Sequence, residues 1–80
     1  MRIPRDIDGV QLAQRLSRFG YAITRQTGSH IRLTTMRGGE YHVTIPAHKP
    51  LRVGTLNSIL ADVALHLALP KEAVLREILE

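Results

Sequence analysis

The sequence predicts an α+β domain with element order α-β-β-β-α and an added C-terminal helix. Three observations carry this expectation. Apolar residues recur with helical period from Val10 to Phe19, and again from Leu56 to Leu67. Between them, His30–Thr35 and Tyr41–Ile45 alternate with period two, and a third short run, Tyr21–Gln26, precedes them. A chain of 80 residues buries only about 60% of its unfolded surface, so one core behind one antiparallel sheet is the economical arrangement, a single domain over residues 1–80.

The first helix opens at Asp8, whose carboxylate can cap it, and Gln11 three residues on completes a capping box. Ile7 and Leu12 occupy the staple positions. Val10, Leu12, Ala13, Leu16 and Phe19 form the apolar stripe, and Gly20 suits a left-handed helix end. In the first strand Tyr21 and Ile23 share a face. In the second, Ile31 and Leu33 oppose His30, Arg32 and Thr34; in the third, Tyr41, Val43 and Ile45 oppose His42 and Thr44. Met36–Glu40 makes the loop between these last two strands.

Directly opposed residues of an antiparallel pair share a face. Leu33 is therefore expected across from Val43, Arg32 across from Thr44 and His30 across from Pro46. In the first hairpin, one allowed pairing sets Ile23 across from Ile31, with Thr24 opposite His30 and Ala22 opposite Arg32; the register can slip by two without changing the face. The outer face then carries Thr24, His30, Arg32, Thr34, His42 and Thr44, while the phase of Arg25 points it toward the core side. The second helix is expected from Val53-Gly54-Thr55 with Leu56, Ile59, Leu60, Val63 and Leu67 inward, and His66 off that stripe at the surface. Pro70 suits the first turn of a third helix that buries Val74, Leu75, Ile78 and Leu79.

Composition narrows the function. There is no cysteine, so disulfides, thiolate metal sites and a thiol nucleophile are excluded. Arg2, Arg5, Asp6 and Asp8 leave the N-terminus without an apolar run, and no stretch reaches the roughly 18 apolar residues of a membrane span. A cytoplasmic protein with no membrane partner is expected. From Gly9 to Ala61 the cations Arg15, Arg18, Arg25, Arg32, Arg37, Lys49 and Arg52 face a single acid, Glu40. From Asp62 onward acids predominate. The basic two-thirds points to a polyanionic partner.

The most informative stretch is Arg25-Gln26-Thr27-Gly28-Ser29-His30. Gly28 would let the backbone turn tightly and deliver His30 to the start of a strand. Histidine can take and give a proton near neutral pH, and arginine can hold a phosphate. Taken alone, a lone histidine is more often a solvent-facing strand residue. Ser29 reads as a turn residue or a phosphate contact. A Ser-His-Asp hydrolase is unsupported, because adjacent Ser29 and His30 on a strand would point to opposite faces and no acid lies near. His42 and His48 fall on or beside the outer face, but their spacing defines no metal site, so neither metal nor other cofactor is expected. Lys49 and Arg52 precede Gly54-Thr55, where a helix N-terminus favours an anion.

Four blocks together resemble the HicA toxin family: Phe19-Gly20-Tyr21, Arg25-Gln26-x-Gly28-Ser29-His30, Ile45-Pro46-x-His48 and Gly54-Thr55-Leu56-x-x-Ile59-Leu60. The resemblance spans nearly the whole chain and implies a double-stranded-RNA-binding-domain-like fold. It implies the toxin of a type II toxin–antitoxin module, a small endoribonuclease that cleaves mRNA and is neutralised by a HicB antitoxin. The family's catalytic histidine falls at His30. Arg25, Ser29, Arg32, Lys49, Arg52 and Thr55 are then the RNA- and phosphate-binding candidates, and His48 the candidate second proton-transfer group. The toxin alone is expected to be a monomer. The alternative from the same residues is a non-catalytic RNA-binding module of the double-stranded-RNA-binding type.

Overall fold

The computed structural model describes residues 6–79, so Arg2, Arg5 and Glu80 of the charge pattern lie outside the described residues. Helix α1 (Gly9–Arg15) runs into a 3-10 turn (Leu16–Phe19), followed by strands β1 (Tyr21–Gln26), β2 (His30–Thr35) and β3 (Tyr41–Pro46), then helices α2 (Val53–Leu67) and α3 (Lys71–Leu79). The sheet is antiparallel with order β1-β2-β3. The expected α-β-β-β-α order with its added helix is the observed one. Among the described residues no single helix is long and apolar enough to cross a membrane.

Asp8 and Gln11 form the capping box, with the Asp8 amide donating to Gln11 Oε1 at 3.0 Å. Gly20 takes φ 82° and ends the 3-10 turn, a conformation that a side chain would strain. α2 ends on Ala68 at φ 55°, and Pro70 lies one residue before α3 rather than inside its first turn. The carbonyl of Pro70 accepts from the Ala73 and Val74 amides, so it serves as the cap.

Period two decides what is buried. Ile31, Leu33, Val43 and Ile45 face inward and pack with Leu12, Leu16, Leu56, Leu60 and Val63 into one core. α3 adds Val74, Leu75 and Ile78, whereas Leu79, expected inside, is exposed. Arg15 and Arg18 hold α3 in place. Arg15 donates to the Ile78 carbonyl at 2.9 Å and Arg18 to the Glu77 carbonyl. Two cations thus meet the negative end of α3 and satisfy carbonyls with no partner inside the helix.

The β2–β3 register is the one expected, with Leu33 opposite Val43, Arg32 opposite Thr44 and His30 opposite Pro46. The β1–β2 register takes the two-residue slip that alternation allows, but it carries a bulge that was not expected. Ile23 pairs with Leu33 and Ala22 with Thr34, two residues away from the anticipated pairing. Thr24 is an extra residue between Ile23 and Arg25, so Arg25 pairs with Arg32. A bulge of this kind reverses the side-chain phase beyond it. Arg25 therefore shares the outer face with Arg32 and does not point to the core side.

His66 also departs from expectation. It is half-buried, stacks on Tyr41 with ring centroids 4.3 Å apart, and donates from Nε2 toward the carbonyls of Arg37 and Gly39 at 3.0 and 3.2 Å. It anchors the β2–β3 loop on α2. Nearby, Tyr41 donates to Asp62 at 2.5 Å, which raises the Tyr41 pKa. The Tyr21 hydroxyl is buried without a partner among the described residues, and burial, with Asp62 and Tyr41 adding to it, pushes its pKa up to about 12.

The segment after β3 is fastened to α1 by backbone. The Gly9 amide donates to the His48 carbonyl at 3.0 Å and the Leu51 amide to the Ile7 carbonyl at 2.9 Å. A Cβ on Gly9 would stand 2.0 Å from the Pro46 carbonyl oxygen, whereas one on Gly28 would meet nothing within 4 Å. Gly9→Ala is expected to destabilise the fold by about 1–3 kcal/mol in urea denaturation, through overpacking against rigid backbone. Gly28→Ala should leave the midpoint unchanged or slightly higher.

Tyr21→Phe should stabilise the protein at neutral pH by about 1 kcal/mol, because it removes a buried hydroxyl that has no partner. The folded state holds the Tyr21 proton more tightly than the unfolded chain does. Wild-type stability is therefore intact below about pH 10 and falls as pH rises toward about 12. Denaturation at a series of alkaline pH values should show that fall in the wild type and a shallower one in Tyr21→Phe.

Candidate active site

His30 opens β2 at the rim of the outer face. The turn before it is closed by the Thr27 amide donating to the His30 carbonyl at 2.9 Å. Gly28 takes no positive φ, so the turn does not require a glycine; its lack of a side chain simply leaves the rim beside Ser29 bare. Ser29 lies in this turn rather than on the strand, so it does not point away from its neighbour. Its Oγ is 3.1 Å from His30 Nδ1, which corrects the opposite-face expectation. The Ser29 carbonyl accepts from the Ala47 amide at 2.9 Å, tying this turn to the end of β3.

This contact has a chemical consequence. A hydroxyl both donates and accepts, so Ser29 can accompany Nδ1 with or without its proton. Nε2 has no partner among the described residues and His30 is exposed. The nitrogen that can exchange a proton with a ligand is thus Nε2, with the ring orientation held from the other side.

Arg32 lies two residues along β2 on the same face, about 6.5 Å from His30. Arg25 stands directly across from it. Like charges directly opposed on a sheet repel, yet neither arginine has a carboxylate partner; among the described residues the one ion pair is His42 with Glu40. The bulge thus sets two arginines opposite each other, with their neutralising charge left to come from outside. Arginine's planar fork suits a phosphodiester in that place.

Lys49 and Arg52 are exposed on the segment that leaves β3 beside His30. Arg52 is the backbone cap of α2, which has no side-chain cap and no acid in its first turn. The amides and positive end of that helix, with half-buried Thr55 in the first turn, remain available to an anion. His48 is exposed two residues beyond Pro46, the partner of His30.

Other cations lie elsewhere. Arg15 and Arg18 are occupied on α3, and Arg37 sits in the far loop. His42 pairs with Thr34, four residues from His30 and about 13 Å along the sheet. Its ring is bound on both sides, at 2.7 Å to Thr34 Oγ1 and 3.1 Å to Glu40 Oε2. Among the described residues no three His, Asp or Glu side chains converge as a metal site. Sequence reasoning missed the bulge at Thr24 and the Thr24–Thr34 contact of 3.0 Å that accompanies it; period-two alternation carries no mark of either.

A sheet backed by helices on one face, with unpaired arginines and an exposed histidine on the other, defines a small domain built to handle a polyanion. Residues 9–65 match the family model described as HicA toxin of bacterial toxin-antitoxin, and the chain belongs to that family. It is thus the toxin of a toxin–antitoxin system, a class whose members are generally ribonucleases restrained by a partner antitoxin. No curated protein and no solved structure matches the chain. α3 lies beyond the matched residues.

If Arg25 and Arg32 repel each other, removing one should relieve the fold. Arg32→Ala is expected to be at least as stable as wild type at low salt, with the difference shrinking as salt rises. Thermal unfolding across a salt series checks this.

Proposed function

We propose that this toxin is an endoribonuclease that cleaves mRNA by transfer of a phosphodiester to the ribose's own 2′-hydroxyl, with His30 as the proton-transfer residue and no metal. The observation that carries the reading is the unneutralised Arg25–Arg32 pair beside the free Nε2 of His30.

His30 Nε2 takes the proton of the 2′-hydroxyl as that oxygen attacks the adjacent phosphorus. The bond from phosphorus to the 5′-oxygen breaks, and that oxygen leaves with a proton from an acid, for which His48 is the candidate. The products are a 2′,3′-cyclic phosphate and a 5′-hydroxyl. Arg25 and Arg32 offset the charge that builds on the non-bridging oxygens, a preorganised electrostatic contribution. Lys49, Arg52 and the Thr55 end of α2 hold flanking phosphates. The substrate supplies its own nucleophile, so proton transfer and charge are all the protein must provide. A HicB-type antitoxin would silence it most simply by covering the outer face with acidic side chains. A cytoplasmic monomer, until the antitoxin binds, completes the proposal.

His30→Ala should lower cleavage of single-stranded RNA by about 10²–10⁴-fold without changing the circular-dichroism spectrum. Wild-type cleavage should persist in EDTA and leave cyclic-phosphate ends. If wild type and His30→Ala bind RNA equally and neither cuts, the protein is a non-catalytic RNA-binding module.

A further inference from the structure

The outer face holds a second constellation that the proposed reaction leaves unused. Glu40 Oε2 accepts from His42 Nε2 at 3.1 Å, and His42 Nδ1 contacts Thr34 Oγ1 at 2.7 Å. Thr34 Oγ1 contacts Thr24 Oγ1 at 3.0 Å, and Thr24 Oγ1 donates to the Arg32 carbonyl at 3.4 Å. Four side chains from the β2–β3 loop, β3, β2 and β1 thus form one hydrogen-bonded line across the sheet. It ends on the bulge residue and on the backbone of a phosphate-binding arginine.

We infer that Thr24, Thr34, His42 and Glu40 are positioning residues that hold Arg25 on the catalytic face. The inference rests on the RNA-cleaving reading above. Thr24 is the extra residue of the bulge, and without that extra residue Arg25 would fall back into the inward phase. A bulge disrupts the ladder locally and leaves backbone groups needing partners. The Thr24 hydroxyl supplies one to the Arg32 carbonyl. His42 Nε2 donates to the Glu40 carboxylate and Nδ1 meets Thr34 Oγ1, so the ring fixes Thr34, and Thr34 in turn meets Thr24. The bulge also works against the repulsion of Arg25 and Arg32, so it needs support from outside β1. Glu40, the single acid between Gly9 and Ala61, stands at the far end of this line and not beside the arginines, where it would neutralise them.

The test uses the full chain and a 2′-O-methyl RNA oligonucleotide, which cannot be cleaved by the proposed route. Thr24→Val keeps the side-chain shape and removes the hydroxyl. It should weaken binding roughly tenfold, as Arg25→Ala does, and lower the slope of log affinity against log salt by about 0.7, one lost phosphate contact. Thr24→Ser should bind as wild type. In an Arg25→Ala background, Thr24→Val and His42→Ala should have no further effect on binding, since they act through Arg25. On cleavable RNA they should lower kcat/KM as Arg25→Ala does, with no further loss in the Arg25→Ala background. Thr24→Val binding like wild type, or weakening binding equally with and without Arg25, overturns the network. If Thr24→Val does not fold, His42→Ala, at an exposed position, decides the matter by the same comparison. RNA binding by wild type with loss in Arg25→Ala but none in Thr24→Val or His42→Ala sinks this inference alone. Wild type that binds no RNA sinks the functional reading and the inference together.

Discussion

Helices can cover only one face of a three-stranded sheet in a chain of this length, and the remaining architecture depends on that limit. The backbone of the outer face is already satisfied by its own ladder, so it needs no protein above it. Its side chains are then free of packing demands. Period two sends Ile31, Leu33, Val43 and Ile45 to the core and hands the intervening positions to chemistry. The same strands that stabilise the domain present His30 and Arg32 to solvent on a rigid support. Side chains placed on strands are held by the ladder and the core together, which is why an open face can keep exposed groups in fixed positions.

Most of this was legible because alternation and helix punctuation are local signals. Asp8 with Gln11, Gly20 and the parity of β2 and β3 each followed from residues within a few positions of one another, and the fold agrees with all three. The bulge in the β1–β2 pairing was not legible. Nothing in Tyr21–Gln26 announces that Thr24 will be an extra residue, because a bulge is chosen by what lies across the sheet. The error it caused was confined and consequential: one residue of slip changed Arg25 from an inward to an outward side chain. His66 was misread for a related reason. Its place on α2 is set by the Tyr41 ring and by carbonyls of a loop more than 25 residues away in sequence. The Ser29–His30 contact escaped because the strand begins one residue later than the opposite-face rule assumed.

Charge counting was informative about the partner and less so about the site. Of the seven cations between Gly9 and Ala61, Arg15 and Arg18 serve α3, where helix carbonyls are their anions. Those that remain for a ligand are the ones without a protein partner. Lack of a partner at Arg25 and Arg32 says more than the net charge of +4 does. It separates cations that hold the fold from cations that await something outside it, a distinction composition alone cannot draw.

The attachment of the 46–51 segment to α1 has an evolutionary consequence. That segment is secured by the Gly9 amide and the Ile7 carbonyl, with Gly9 letting the backbones touch. Lys49 and Arg52 contribute no side chain to the anchorage. The loop therefore behaves as a cassette: exposed side chains such as Lys49 and Arg52 can be exchanged by mutation while its path stays fixed. A toxin that must keep its reaction but track a changing antitoxin or RNA target has, in these few positions, a place to vary without refolding.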